Sequence, residues 1–501
     1  MIPVFLLSLL NLSSLLTALV LLLLSYVFRT YIVTSRNSPS LPPGSFGWFP
    51  FLGQTVSFIA PHCSSSRGHF IEQNIRRYGT IFRSHLFGHP TVVSCDPDFN
   101  SFVLHNEERL FLSSYPSNIP GILGQLTLLV ATGDVHKRLR AVALNLFATM
   151  KAQNEFFLSD IENNALRVMR SWKNKERLVF CQETRKFTFS VIVKQILSLG
   201  PEDPVTIEIL DNFTTFMKGL CSIPLNLPGT AFARAIQAKH RIKAITKTLL
   251  HQRRRGEGRE GQRKMDFMDV LITHDELSED EILSLVLDLL LGGYETTSML
   301  IAIVVRFLSD CPKALNELRK EQRKLRSSKM GDEALTWDDY QKMTFTHSLI
   351  HEALRCGNVV KFVHRKTIKT IYYKGFEIPS GWKVLPVFTG VHLDPSNHAN
   401  PLDFNPWRWQ EDEKGVGGGG GGKIFTPFGG GKRLCPGSDI AKLEAAIFLH
   451  HLVLNYSWVP LMENDWPLSL PYLDFKHGLP LSIRSLSQSD QSHCCNVNAR
   501  N

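Results

Sequence analysis

The 501-residue sequence has nine cysteines but no CxxC pair, no internal repeat, no HExxH motif and no flavin or nicotinamide fingerprint. An odd, scattered set of cysteines excludes a disulfide-built scaffold and favours a reducing compartment. Without a dinucleotide fingerprint the chain holds no electron source of its own, so reducing equivalents must arrive from elsewhere. Charged residues are held to 20% while apolar residues reach 43%, which excludes a disordered or fibrous chain. The length is that of about three small domains or of one large enzyme-sized unit. A net charge of +10 suits nucleic acid, an anionic membrane surface or an acidic protein partner, and does not choose among them.

Charge is missing altogether from Met1 to Phe28. As a helix that stretch reaches about 42 Å, enough to cross a hydrocarbon core of about 30 Å. A cleavable signal peptide would begin with basic residues and carry an apolar run of roughly 7–15 residues. Here the basic start is missing and the run is longer, so residues 1–28 are expected to be an uncleaved single-pass transmembrane anchor. Arg29 and Arg36 follow it and put the remainder of the chain on the cytosolic side. Residues 29–50 read as a basic, proline-rich linker, because Pro39, Pro42, Pro43 and Pro50 forbid continuation of the helix. Residues 51–485 form the body and 486–501 a flexible tail.

The body reads as mainly helical, with β-like runs at 79–95 and 368–388. Gln252 to Lys264 is basic and nearly free of apolar side chains, so it reads as a solvated surface connection, and Gly417 to Gly422 as a flexible insertion. One helix stands out. Ser278 and Glu281 make a capping box, apolar residues continue from Ile282 to Leu308, and Ser309-Asp310-Cys311-Pro312 stops the run after about 45 Å. Its centre is Leu291-Gly292-Gly293-Tyr294-Glu295-Thr296-Thr297. Two mid-helix glycines cost about 1 kcal/mol each relative to alanine, so close backbone packing or a local distortion must compensate. Glu295 beside Thr296 is either a functional acid–alcohol pair or a satisfied glutamate next to a packing site.

The richest segment is Phe428-Gly429-Gly430-Gly431-Lys432-Arg433-Leu434-Cys435-Pro436-Gly437, followed by an amphipathic helix from Ser438 to Leu454. Cys435 stands just before a helix N-terminus, where free N–H groups and the dipole favour an anion, and Arg433 adds positive charge. A thiolate held in this way suits axial ligation of heme iron. A buried structural cysteine would not explain the ordered spacing of phenylalanine, glycines, arginine and cysteine.

On these residues the chain resembles the cytochrome P450 superfamily of heme-thiolate monooxygenases, from Pro42 to about Ile483. The resemblance implies a mainly α fold: a large helical domain built around the long helix, and a small β-rich subdomain. It implies heme b held by Cys435 as the axial iron ligand, within the Phe428 to Gly437 loop. Glu352 and Arg355 match the family's Glu-x-x-Arg pair and are expected to join Arg408 in a structural lock. Arg433, Arg365, Arg140 and His136 (the last in place of the usual tryptophan) are the implied partners of the heme propionates. Glu295 and Thr296 are the implied catalytic pair, relaying protons during O2 activation. NADPH would supply electrons through a cytochrome P450 reductase, steered by Lys137, Arg138 and Lys432. The implied setting is the endoplasmic reticulum membrane, with the catalytic domain cytosolic and no nucleic-acid partner.

Within the superfamily the sequence is similar to plant steroid hydroxylases of brassinosteroid biosynthesis, especially those acting at C-22. The likeness lies in Ser114-Tyr115-Pro116, Gly121 to Gly124, Phe216 to Gly219, Pro224 to Gly229 and Gly357 to Phe362, where Asn358 replaces a common proline. The expected reaction is C-22 hydroxylation of a campesterol- or campestanol-type sterol. Hydroxylation of another steroid position or of a terpenoid, a reductase-independent heme-thiolate isomerase or dehydratase, and a non-catalytic heme- or sterol-binding protein are the competing readings.

Overall fold

The computed structural model describes residues 14–26, 40–47, 53–152, 154–256, 266–331, 333–411, 422–469 and 473–486. Its spine is the helix Glu279–Asp310, 32 residues long. Both halves of the capping box are present: Ser278 Oγ accepts from Glu281 N, and Ser278 N donates to the Glu281 carboxylate at 2.9 Å. Pro312 then opens the next helix, Pro312–Ser327, where its missing N–H costs nothing. The long helix is apolar almost all round because other helices surround it, chiefly Phe180–Leu197, Ala231–Arg254, Thr344–Gly357 and Ser438–Asn455. One large apolar cluster joins these helices, and two smaller ones pack on the sheet described next.

That sheet has five strands in the order Ile81–Leu86, His89–Ser94, Lys383–Pro386, Arg365–Thr367 and Phe111–Ser113. Both β-like runs of the sequence are therefore strands. The sequence pattern misses the sheet pairing Tyr456–Pro460, Pro480–Ser485 and Arg177–Val179, as well as the one formed by His62–Cys63, Pro467–Ser469 and Leu473–Phe475. Strands of two to six residues are too short to show a period of their own and are held by partners far along the chain.

Gln252 to Lys264 is not wholly a solvated connection. The helix Ala231–Arg254 runs into it, and Arg253 is buried, bonded to Asp266 at 2.8 Å, Asp269 at 2.9 Å and the Leu197 carbonyl at 2.6 Å. A basic run read as surface hides one arginine whose two carboxylate partners make burial tolerable. Residues 257–264, 417–421 and 487–501 lie outside the described residues, as do 1–13 and 27–28 of the expected anchor. Ser14–Tyr26 is an apolar helix with Leu15 to Leu24 exposed. The described part, about 20 Å long, is shorter than a hydrocarbon core. Its end meets the sheet, where Tyr26 Oη lies 3.4 Å from His85 Nε2.

Candidate active site

The cysteine loop is shaped by contact with the helix Pro97–His105. Gly431 takes φ 61°, and a Cβ there would lie 2.1 Å from the Leu104 carbonyl oxygen, so only glycine fits. The Cys435 N–H then donates to the Phe428 carbonyl at 3.0 Å, closing the loop, and the helix Ser438–Asn455 begins after Gly437. Burial pushes the Cys435 thiol up, while the Gly437 N–H and Arg140 act in the opposite direction. The cation felt by the sulfur is Arg140 rather than the expected Arg433. Arg433 is turned away: its Nε donates to Glu107 at 2.7 Å and its terminal nitrogens to the Leu128 and Ala131 carbonyls at 3.1 and 2.6 Å.

Behind the loop stands a closed polar lock. Glu352 and Arg355 are fully buried and doubly bonded, at 2.9 and 2.8 Å. Arg408 Nε donates to Glu352 at 3.0 Å, Trp409 Nε1 at 2.9 Å and Asn405 N at 2.9 Å. Burial alone would raise the Glu352 carboxyl, but these donors outweigh it and hold it below its ordinary value. A second tie went unseen in the sequence. Asn358 ends the helix Thr344–Gly357 in the left-handed region at φ 47°, which proline cannot adopt. Its Oδ1 lies 2.9 Å from His392 Nδ1, and His392 Nε2 accepts from Thr426 N at 3.1 Å. The bond at Nε2 fixes the proton on Nδ1, and burial drops the ring to about 3, so the imidazole is neutral. Asn358 thus reaches through His392 to the segment leading into Phe428.

Four of the expected site residues converge. Arg365 lies 2.6 Å from Glu107 Oε2 while Arg433 holds Oε1, all three buried. His136 is buried beside them; burial, then Arg433 and Arg140, lower its pKa to about 4. Tyr115, in one of the stretches that carry the family likeness, lies in the field of Arg365 and Arg433, and burial raises its hydroxyl. Glu107, which no sequence spacing marks, is the carboxylate that organises the two arginines.

The long helix separates its two expected catalytic residues. The helix is unbroken through 292–297, and Thr296 Oγ1 donates back to the Gly292 carbonyl at 2.7 Å. Gly292 and Thr296 are exposed in a helix otherwise mostly buried, and a Cβ on Gly292 would meet nothing within 4 Å. Gly293 supplies the close approach: a Cβ there would be 2.9 Å from Ile192 Cδ1. Glu295 points elsewhere, to Arg185, whose Nε lies 3.1 and 3.2 Å from its two oxygens and which also holds Asp474 at 3.0 Å. Of the three basic residues expected to steer a partner, Lys137 pairs with Asp134 at 3.1 Å, Lys432 with Glu108 at 3.0 Å, and Arg138 with Glu281.

A family model described as Cytochrome P450 matches residues 42–476. Cytochrome P450 724B1 of Oryza sativa subsp. japonica is 50% identical over 478 residues, covering 94% of this chain and 97% of that one. Cholesterol 22-hydroxylase CYP90B27 of Paris polyphylla is 43% identical over 477 residues, covering 94% and 97%. The steroid (22S)-hydroxylase of Brachypodium distachyon is 43% identical over 468 residues, covering 92% and 91%. Among solved structures, retinoic acid bound cyanobacterial CYP120A1 matches with a TM-score of 0.78 at 25% identity, covering 89% of this chain and 99% of that one. The cysteine loop, its buried lock and the long helix are thus those of a monooxygenase that works with heme iron, O2 and electrons from a reductase, and the chain belongs to the cytochrome P450 family.

Proposed function

We propose that this P450 hydroxylates the side chain of a plant sterol at C-22, on campesterol- or campestanol-type substrates of brassinosteroid biosynthesis, with NADPH as electron donor through a cytochrome P450 reductase. The names of the relatives support the position of attack: two of those described act at carbon 22 of cholesterol or a steroid. The exposed apolar helix Ser14–Tyr26 supports anchoring in the endoplasmic reticulum membrane with the body in the cytosol.

The residues present fit heme. Arg140, Arg365, Arg433 and His136 lie within one another's fields, with Glu107 and Glu108 as the carboxylates in that field. Such a set has cationic forks to spare for a dianionic ligand. When bound, heme supplies the activation of O2 and the insertion of one oxygen atom into a C–H bond. Cys435 Sγ would hold the iron, its backbone fixed at the helix head by the Cys435 N–H bond to the Phe428 carbonyl. Arg140, Arg365 and Arg433 would orient the heme carboxylates, and neutral His136 would add a donor. Thr296 Oγ1 is the proton donor facing the substrate side. Glu295 serves the relay only by releasing Arg185, so proton supply is coupled to that ion pair.

The observation that carries the reaction is the placement of Cys435 between a closed glycine loop and a helix head, with Arg140 as the cation acting on its sulfur. Two measurements test the proposal. The ferrous–CO adduct should show thiolate ligation; an imidazole-like spectrum removes Cys435 from the iron. Feeding campesterol-type and campestanol-type sterols with a plant reductase should give a 22-hydroxylated product by mass spectrometry. Turnover of fatty or terpenoid acids with no sterol product overturns the substrate.

A further inference from the structure

The long helix carries one acid that neither the lock nor the proton relay uses. Asp288 stands two turns before Thr296, and Gly292 lies between them at i+4. In the stretch Glu281 to Leu290 it alone keeps some accessible surface, although its carboxyl is largely desolvated, and 288, 292 and 296 repeat every four residues along one side of the helix. Asp288 Oδ2 accepts from the Leu128 N–H at 2.6 Å, and its other oxygen has no hydrogen-bond partner among the described residues. The Lys243 ammonium acts on it only through space, because Lys243 Nζ donates to Ser284 Oγ at 2.9 Å. Leu128 is itself fixed from the other end: its carbonyl accepts from Arg433 at 3.1 Å.

A carboxyl deep in an apolar helix is costly unless something uses its second oxygen. We infer that Asp288 is a specificity-determining residue: it takes a hydroxyl group of the steroid and so sets how far the molecule slides along the helix toward Thr296. The inference rests on the sterol reading above. Eight residues put Asp288 about 12 Å from Thr296 along the axis, a span comparable with that from the 3-hydroxyl end of four fused rings to the first side-chain carbons. Burial, opposed by Leu128 N–H and Lys243, raises the Asp288 carboxyl to about 8. At neutral pH it is therefore largely a carboxylic acid, able both to donate to an alcohol oxygen and to accept from an alcohol proton. A polar group set this far from the reacting carbon orders a ligand that is otherwise uniformly apolar, since position depends on about 1 Å of placement.

The test uses the heme-loaded full chain and reads dissociation constants from the sterol-induced spin shift. The probes are a campesterol-type sterol and its 3-deoxy analogue. Wild type should bind the alcohol at least about tenfold more tightly than the deoxy compound. Asp288→Leu should bring the two within about twofold by weakening the alcohol alone, and Asp288→Asn, which keeps a donor and an acceptor, should restore most of the preference. If Asp288 only secures the Leu128 loop, the leucine variant will weaken both ligands equally and keep their ratio, which overturns the inference. Equal binding of both ligands by wild type overturns it too, even if the leucine variant fails to fold. No spin shift with any sterol denies the sterol reading itself.

Discussion

The two sides of the site are built on opposite principles. On the cysteine side, nearly every polar atom of the Glu352, Arg355, Arg408 and Trp409 set is spent on another part of the lock, and Asn358, His392 and Thr426 extend it to the cysteine loop. On the substrate side, the long helix presents a few polar groups on an apolar wall, and Asp288 and Thr296 each have only one described hydrogen bond. A closed network specifies one geometry and tolerates little change; a sparse one leaves room for a ligand to decide. The contrast implies that damage on the cysteine side reads out as loss of fold or heme, and damage on the substrate side as altered coupling or selectivity.

The sharpest way to break this contrast is at the sulfur. Cys435→Ser should abolish the thiolate-type ferrous–CO spectrum and all turnover, while circular dichroism stays near wild type. Glu352→Gln comes next, leaving Arg355 and Arg408 without their carboxylate in a buried setting, at a cost of about 3–5 kcal/mol. Thermal unfolding should report that loss, with heme content falling in parallel. Because the Glu352 carboxyl is held below its unfolded value, its stabilisation is present above the unfolded pKa and is lost as pH falls through the folded one. Wild type should therefore lose stability on acidification by a larger margin than the glutamine variant, measured as melting temperature against pH.

Asn358→Pro tests whether the second tie matters as the first does. Proline cannot take φ 47° and has no N–H for the Leu354 carbonyl, so about 3 kcal/mol or more should be lost. An unchanged melting temperature would show that the His392 link is dispensable. On the substrate side, Thr296→Ala should leave heme binding and stability within about 0.5 kcal/mol of wild type. Peroxide should rise at the expense of product, followed by NADPH consumed per hydroxylated sterol. The smallest effect belongs to the surface. Lys137, Arg138 and Lys432 each have an acidic partner, so added salt should lower turnover at fixed reductase only modestly.

What the sequence showed and what it hid divide along the same line. The capping box and the stop at Pro312 are local patterns, set by neighbours within a few residues, and the structure contains them as read; the cysteine loop closes locally on Phe428 but takes its shape from Leu104 and its cation from Arg140. Arg185 lies 110 residues from Glu295, Asn358 reaches His392 34 residues on, and Glu107 meets Arg433 across 326. No periodicity encodes such partners, so the ion pair that holds Glu295 and the acid that organises the arginines emerge only in three dimensions. Arg253 shows the same in reverse, since a charge run looks solvated until two aspartates from the next helix close on one of its members.

One residue joins the two regimes. The N–H of Leu128 serves the long helix and its carbonyl serves the arginine ahead of the cysteine. Both backbone groups of Leu128 are therefore committed, and a displacement of that residue would stretch one hydrogen bond or the other. On the role proposed for Asp288, a change that repositions Leu128 should alter sterol affinity and the Arg433 contacts together.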